Sequence, residues 1–254
     1  MIGTVSKTVM ALVAIVGSNP TLSADNCSLF MQRAFVIIVD DFHLLDFVGL
    51  KNALMLVIIA IRKNHMQGFF TLLPRPYFEQ VKLLWDGLED RFGLNFIRVT
   101  PIPHFSWQIG EGYQIESVLP QLSQLTKSMP AYEVHVCGVE VFYGDQPVVY
   151  LQVMRTAHIR AMHRKFWSVL TPYTDQPNLL YAPGRWQPHV TLALNDLTSE
   201  VLPDVVQWLK EFKIDWTFTC HDFTLVGQYE NGLTCLEASF ECGQGLVATD
   251  GCTS

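Results

Sequence analysis

The chain has 254 residues, of which 49% are hydrophobic and 16% are charged, so it is long enough to bury a sizeable core. Its formal net charge is −7, and residues 66–254 alone hold 12 Lys and Arg against 20 Asp and Glu. A protein that grips long nucleic-acid duplexes normally carries a basic face. The acidic balance therefore disfavours such a role and fits a local anion site for a small ligand better.

Sequence signatures of cofactor and metal sites are missing. The six Cys form no C-x-x-C pair, which gives no zinc knuckle. Neither a G-x-x-x-x-G-K-[ST] loop nor a Rossmann glycine fingerprint occurs, so the use of ATP or NAD has no support. We therefore expect neither a cofactor nor a metal ion.

Residues 1–65 differ in pattern from the rest of the chain. An apolar stretch at 9–17 is followed by Leu-Ser-Ala at 22–24, which vaguely resembles a secretory signal. A second apolar run, at 53–61, is too short to cross about 30 Å of hydrocarbon as a helix. Three interpretations of this hydrophobic extension stay open: an export signal or membrane anchor, a helical extension packed on the domain, or a misassigned start. The misassigned start is favoured because Met66 directly precedes a clean first strand.

From residue 66 onward, strand and helix patterns are interleaved. We predict, in chain order, a strand at 69–73, a helix at 78–92, strands at 95–100 and 104–107, a helix at 118–129, strands at 132–142 and 148–153, and a helix from Thr156 to about 170. A loop at 172–188 then leads to a strand at 189–194, a helix that opens at Thr198 or Ser199, and a hairpin of 216–227 with 233–240. Residues 243–254 are small and polar and indicate a flexible tail. This order predicts an α+β domain over 66–242 with two similar halves and antiparallel or mixed sheets.

Two of the predicted strands begin with the same motif. Residues 103–107 read PHFSW and residues 188–192 read PHVTL, so both follow the pattern Pro, His, apolar, hydroxyl, apolar. Side chains alternate between the two faces of a strand. Each motif therefore presents an imidazole beside a hydroxyl on one face and buries an apolar pair on the other. The other six His show nothing similar.

The paired motifs resemble the H-x-[S/T]-x signatures of the 2H phosphoesterase superfamily, in its 2′-5′ RNA ligase-like branch. Their separation of 85 residues, the opening strand at Phe69 and the run PHVTLA at 188–193 carry the resemblance, which covers about 66–242. It implies a pseudo-symmetric bilobal two-histidine phosphoesterase fold, with one motif in each lobe and a central cleft between them. The first motif, with Phe105 and Trp107, is a less usual version than the second.

The residue types of the motifs indicate how such a site would work. Because the unperturbed pKa of imidazole is about 6.5, His104 and His189 can take a proton from water and give one to a leaving oxygen near neutral pH. The hydroxyls of Ser106 and Thr191 can donate to phosphate oxygens. We predict a metal-independent phosphodiesterase that acts on 2′,3′-cyclic phosphates or on 2′-5′ linked RNA ends and nucleotides. The sequence does not say which histidine is the base and which is the acid.

Further substrate contacts are predicted from residues near the motifs. Arg185 is expected to hold a phosphate or stack on a base, and Trp107 and Tyr113 to stack a base near the cleft. For Arg98 and for the basic stretch 155–165, a solvated surface is the favoured interpretation.

Two other functions stay open at this point. The same fold could grip nucleotides or RNA ends without turnover, although two complete motifs favour an enzyme. Residues 1–65 could instead mark an exported or membrane-tethered protein of unrelated function. We expect a monomer that binds a small cyclic nucleotide or an RNA terminus and no long duplex. Its expected location is the cytoplasm, unless residues 1–65 are a genuine signal or anchor.

Overall fold

The computed structural model of the protein describes residues 66–228 and 234–249. The predicted N-terminal extension at 1–65, the predicted hairpin turn at 230–232 and the last residues, 250–254, lie outside the described residues. The helices and strands are, in order, β1 (Met66–Leu72), α1 (Tyr77–Phe92), β2 (His104–Tyr113), α2 (Ile115–Lys127), β3 (Tyr132–Phe142), β4 (Val148–Val153), α3 (Ala157–Leu170), β5 (Thr174–Pro177), β6 (His189–Ala193), α4 (Leu202–Leu209), β7 (Asp215–Cys220), β8 (Asp222–Gln228), β9 (Thr234–Glu241) and β10 (Gly245–Ala248).

The ten described strands form two sheets. One has six strands in the order β10-β9-β8-β1-β2-β5, and the other has four in the order β6-β4-β3-β7. Every strand pair that the structure describes is antiparallel. The predicted α+β fold is confirmed, with antiparallel rather than mixed sheets. Each sheet carries one of the two motifs at the start of a strand, β2 in the larger sheet and β6 in the smaller.

α1, α2 and α3 each pack one face against a sheet, and α4 packs Trp208 against Phe92 of α1. α3 begins after Thr156, whose hydroxyl accepts the Ile159 N–H at 3.2 Å, as predicted for a helix cap. α1 ends at Gly93, where a φ of +72° suits a residue without a Cβ. Within the described part of the chain, no helix is long and apolar enough to cross a membrane.

The predicted strand at 95–100 is wrong, because the chain there forms a 3-10 helix, Phe96–Val99. The backbone N–H groups of Asn95 and Phe96 both donate to one carboxylate oxygen of Asp196, at 2.7 and 2.6 Å. This carboxylate caps the turn from a point about 100 residues further along the chain. The sequence of residues 95–100 favours a strand, but the hydrogen bonds to Asp196 stabilise a 3-10 helix instead.

The end of the chain also departs from the sequence-based expectation. The predicted strand 216–227 is two strands, since the chain leaves the smaller sheet at β7 and enters the larger one at β8. The predicted flexible tail is wrong over Gly245–Ala248, which pairs with β9. The Leu246 N–H donates to the Ser123 hydroxyl at 2.9 Å. A Cβ on Gly245 would lie 2.6 Å from that hydroxyl, so glycine permits this close approach.

Candidate active site

The two motifs meet at one cleft of about 880 Å³. His104, at the start of β2, and His189, at the start of β6, both line it, together with Ser106 and Thr191. The four motif residues thus come from two different sheets to a shared space. Burial is the main cause of the lowered pKa of His104, and a charge on nearby His189 lowers it further.

Both imidazoles are fixed in the same way by the backbone. His104 Nδ1 lies 2.5 Å from the carbonyl oxygen of Ile102, and His189 Nδ1 lies 2.7 Å from that of Gln187. A carbonyl oxygen can only accept, so Nδ1 carries the proton and donates in both rings. In the neutral form of each ring, Nε2 therefore keeps its lone pair for a ligand. The carbonyl belongs in both motifs to the residue two positions before the histidine.

Aromatic rings surround the two imidazoles. Phe70 stacks on His104 with 4.0 Å between ring centroids, and Phe142 meets His189 edge-on at 5.1 Å. Burial lowers the pKa of His104 to about 4, against the opposing hydrogen bond to Ile102. Burial also lowers the pKa of His189 below its ordinary value. Both rings are therefore mainly neutral at pH 7 in the unliganded protein.

A tyrosine that the sequence did not indicate joins the first motif. Tyr181 lines the cleft from a short 3-10 helix, Leu179–Tyr181, and Ser106 lines the same cleft. Burial raises the pKa of Tyr181 to about 12, so the phenol keeps its proton at neutral pH. No local pattern marks this residue, because its importance follows only from where the loop between β5 and β6 folds.

Each motif strand is also held by a buried tryptophan from the other half of the domain. Trp186, which precedes the second motif, donates its indole N–H to the backbone oxygen of Ser106 at 2.9 Å. Trp85 in α1 donates to the backbone oxygen of Thr191 at 3.1 Å. Both indoles are at least 98% buried. The two hydroxyl residues are thereby tied to opposite halves of the chain.

The structure brings one of the three predicted substrate contacts to the cleft. Arg185 lines the cleft and is exposed there. Trp107 is fully buried and donates to the Thr71 hydroxyl at 2.8 Å, while the Tyr113 hydroxyl donates to Gln108 at 2.7 Å inside the core. Neither of these two rings lines the cleft. Trp107 follows Ser106 on β2, so its side chain points to the opposite face of the strand, away from the cleft. Tyr113 lies at the far end of β2, whereas His104 lies at its start.

The remaining basic candidates lie away from the cleft lining. Arg98 forms ion pairs with Asp86 and with Glu89, the latter at 3.3 Å. Arg155 donates to the backbone oxygen of Trp186 at 2.7 Å and so braces the loop before the second motif. Over residues 66–228 and 234–249, no three His, Cys, Asp or Glu side chains are grouped as a metal-ligand set.

A family model described as the 2′-5′ RNA ligase superfamily matches residues 96–232. The chain belongs to this superfamily. The matched range contains both motifs, which confirms the resemblance to 2H phosphoesterases that the motifs indicate. No curated relative matches this superfamily member.

Several solved structures are similar to this superfamily member at low sequence identity. E. coli LigT complexed with NADP+ is 13% identical, with 71% of this chain and 99% of that chain covered and a TM-score of 0.44. A protein described as a phosphoesterase is 15% identical, with 75% and 99% covered and a TM-score of 0.43. Kluyveromyces marxianus Usb1 with uridine monophosphate is 12% identical, with 74% and 98% covered and a TM-score of 0.36.

Proposed function

We propose that the protein is a metal-independent phosphodiesterase that acts on 2′,3′-cyclic phosphates or on 2′-5′ linked RNA ends and nucleotides. The observation that carries this proposal is the placement of His104 and His189. Both line one cleft, and both use Nδ1 on a backbone carbonyl, which leaves Nε2 for the reaction. Membership of the 2′-5′ RNA ligase superfamily supports the same chemistry.

Hydrolysis requires one proton to leave the attacking water and one to reach the leaving oxygen. As water attacks phosphorus, the neutral imidazole of one histidine takes a proton at Nε2. The P–O bond to the leaving group breaks on the opposite side, and the other histidine, as imidazolium, gives its Nε2 proton to that oxygen. The product is a phosphomonoester, and each histidine ends in the protonation state in which the other began. Either histidine can take either role, depending on how the substrate lies.

The remaining polar groups of the cleft are suited to the charge on the phosphate. The hydroxyls of Ser106, Tyr181 and Thr191 are donors for non-bridging oxygens. Arg185 adds a positive charge at the same cleft. Because the anion is bound among two imidazoles of lowered pKa, it favours protonation of one of them. Substrate binding thus supplies the imidazolium that the mechanism needs.

Turnover of a 2′,3′-cyclic nucleotide in excess EDTA tests the proposal. We expect activity to persist with the chelator and to fall by about 10²–10⁴-fold in His104→Ala and in His189→Ala. His158→Ala is a matched control, since His158 is exposed on α3 and does not line the cleft. Full activity in either cleft variant, or loss of wild-type activity with EDTA, would overturn the mechanism.

A screen of ligands separates an enzyme from a binding module. Cyclic nucleotides and 2′-5′ linked dinucleotides are each tested for turnover and, by calorimetry, for binding. The proposed function predicts turnover of at least one of these classes. Binding without turnover across the whole set would assign a module that grips nucleotides or RNA ends.

A further inference from the structure

The cleft differs from the rest of the chain in its charge. Among the lining residues that the structure describes, Arg185 is the one formally charged side chain, and no Asp or Glu is present. The whole chain, in contrast, holds 24 Asp and Glu against 17 Lys and Arg. Since the two imidazoles are mainly neutral before a ligand binds, the described lining offers about one positive charge. One charge of this sign matches the single negative charge of a phosphodiester.

Apolar side chains make up much of the cleft lining. Five of them, which we call the apolar wall, are Phe96, Ile97, Val99, Leu194 and Val226. Two of its side chains, Phe96 and Val99, remain 39% and 38% exposed. Large apolar side chains that stay exposed beside a cleft indicate a surface for an apolar part of a ligand.

The apolar wall is held in place by contacts from distant segments. Asp196 accepts both the Asn95 and the Phe96 N–H groups, which fixes the start of the 3-10 helix. The Thr234 hydroxyl donates to the backbone oxygen of Val99 at 2.8 Å, which fixes its end. Hydrogen bonds from distant segments therefore fix both ends of the 3-10 helix that carries Phe96, Ile97 and Val99.

We infer that the substrate has a single phosphate group and, joined to it, an uncharged group that lies on the apolar wall. This inference rests on the proposed function and narrows its substrate class to phosphodiesters whose remaining part is uncharged. A second phosphate on the wall would lose its hydration without gaining a cation in the described lining, which is costly for an anion. A nucleoside 2′,3′-cyclic phosphate with a free 5′-hydroxyl fits, and a 5′-phosphorylated nucleotide does not.

Binding of two unreactive nucleotides tests whether the cleft accepts only one phosphate group, which we call the single-phosphate limit. Adenosine 3′-monophosphate and adenosine 3′,5′-bisphosphate differ only in the 5′-phosphate, and calorimetry gives Kd for each. We expect the bisphosphate to bind at least about tenfold more weakly, because a difference of 1.4 kcal/mol in desolvation already produces that ratio. Equal or tighter binding of the bisphosphate would overturn the inference.

A new positive charge on the apolar wall tests whether the single-phosphate limit is caused by the lack of a cation at this wall. Val99→Lys places an ammonium on the wall, and the hydrogen bond from Thr234 survives because it uses only the backbone oxygen. We expect this variant to recover about tenfold in affinity for the bisphosphate and to change the affinity for the monophosphate by less than about threefold. Val99→Gln is the matched control, since it adds a polar chain without charge. An equal gain in both variants, or no gain in either, would overturn the placement on this wall.

The two ligands also separate this inference from the proposed function. Their binding requires no turnover. If the monophosphate binds more tightly but no cyclic nucleotide is hydrolysed, the single-phosphate limit stands and the catalytic proposal fails. If 2′,3′-cyclic AMP is hydrolysed and its 5′-phosphorylated form is the better substrate, the catalytic proposal stands and the limit fails.

Discussion

The indole nitrogen of Trp186 lies 2.9 Å from the backbone oxygen of Ser106, although the two residues are 80 positions apart. Trp186 stands three residues before His189, so a hydrogen bond from the second motif's own loop holds the first motif's strand. Trp85 makes the reverse connection to Thr191. Catalysis by two imidazoles depends on the distance between them, and a misplacement of about 1 Å can cost roughly a hundredfold in rate. The two indoles therefore position the motifs relative to each other.

Trp186→Phe and Trp85→Phe remove the donor and keep an aromatic ring. We expect kcat to fall by roughly tenfold or more in each variant, because the two motifs move relative to each other. KM should change by less than about threefold, because each lost N–H group donates to a backbone oxygen and not to the ligand. Steady-state kinetics with a 2′,3′-cyclic nucleotide gives both constants.

Trp208→Phe is the control for these two variants. Trp208 is also a buried indole, but it packs on Phe92 and does not line the cleft. All three variants should lose about 1–3 kcal/mol of unfolding free energy. An equal fall of kcat in Trp208→Phe would show that lost stability, and not the position of the motifs, explains the effect.

The pH dependence of kcat/KM should reflect the lowered pKa values of both histidines. The mechanism needs one neutral and one protonated imidazole in the free enzyme. The pKa of His104 is about 4, and that of His189 is lowered from 6.5. Because both pKa values lie below 6.5, the form with one protonated ring is lost as the pH rises above 6.5, so kcat/KM should peak below pH 6.5 and fall as the pH rises further.

Substrate binding should shift the pH profile of kcat to higher pH than the profile of kcat/KM. A bound phosphate anion favours the imidazolium form and so raises the pKa of the acid in the complex. We expect the fall of kcat to occur at a higher pH than the fall of kcat/KM. Initial rates from pH 4 to 9 at low and saturating substrate measure both, and an optimum of kcat/KM above about pH 7.5 would contradict this assignment.

The two motifs predicted which residues meet at the cleft because alternation along a strand is a local rule. His104, Ser106, His189 and Thr191 line it as the pattern requires. The same alternation also accounts for the burial of Trp107, which stands one position after Ser106.

Residues that depend on distant contacts were not predictable in this way. The 3-10 helix at Phe96–Val99 takes its cap from Asp196, and β10 takes its place beside Ser123. Tyr181 lines the cleft beside Ser106 only because the loop between β5 and β6 folds toward β2. Each case depends on a partner more than 70 residues away, which no local periodicity contains.

His163 should make the protein less stable in acid. It is 1% exposed on α3, where it stacks on Trp186 with 3.8 Å between ring centroids, and burial lowers its pKa from 6.5 to about 4. The unfolded chain then takes up a proton at a higher pH than the folded chain. Stability is therefore fully present above pH 6.5 and is lost as the pH falls from 6.5 to about 4.

His163→Phe removes this titration and keeps a flat ring on Trp186. We expect the free energy of unfolding, measured with urea at several pH values, to fall less steeply between pH 6.5 and 4. The slope should decrease by up to about 1.4 kcal/mol per pH unit. A residual slope will remain because His104 titrates in the same window. An unchanged slope would contradict the burial of a neutral imidazole at this position.

Gly68→Ala should change the surroundings of His104 indirectly, through the ring of Phe70. Gly68 lines the cleft on β1, and a Cβ at this position would lie 2.2 Å from the ring of Phe70, which stacks on His104. The ring must shift, which is feasible for the end of a flexible side chain, so the fold should survive. His104 then loses part of its apolar cover, and its pKa should rise from about 4 toward 6.5.

Nuclear magnetic resonance titration of the His104 ring in Gly68→Ala measures this pKa, and kinetics measures the consequence. We expect kcat/KM to fall by about tenfold, since an imidazole without its stacked ring is less well oriented. Gly144→Ala is the control, because a Cβ there meets nothing within 4 Å and the residue does not line the cleft. An unchanged pKa of His104 in Gly68→Ala would show that Phe70 does not set the environment of this imidazole.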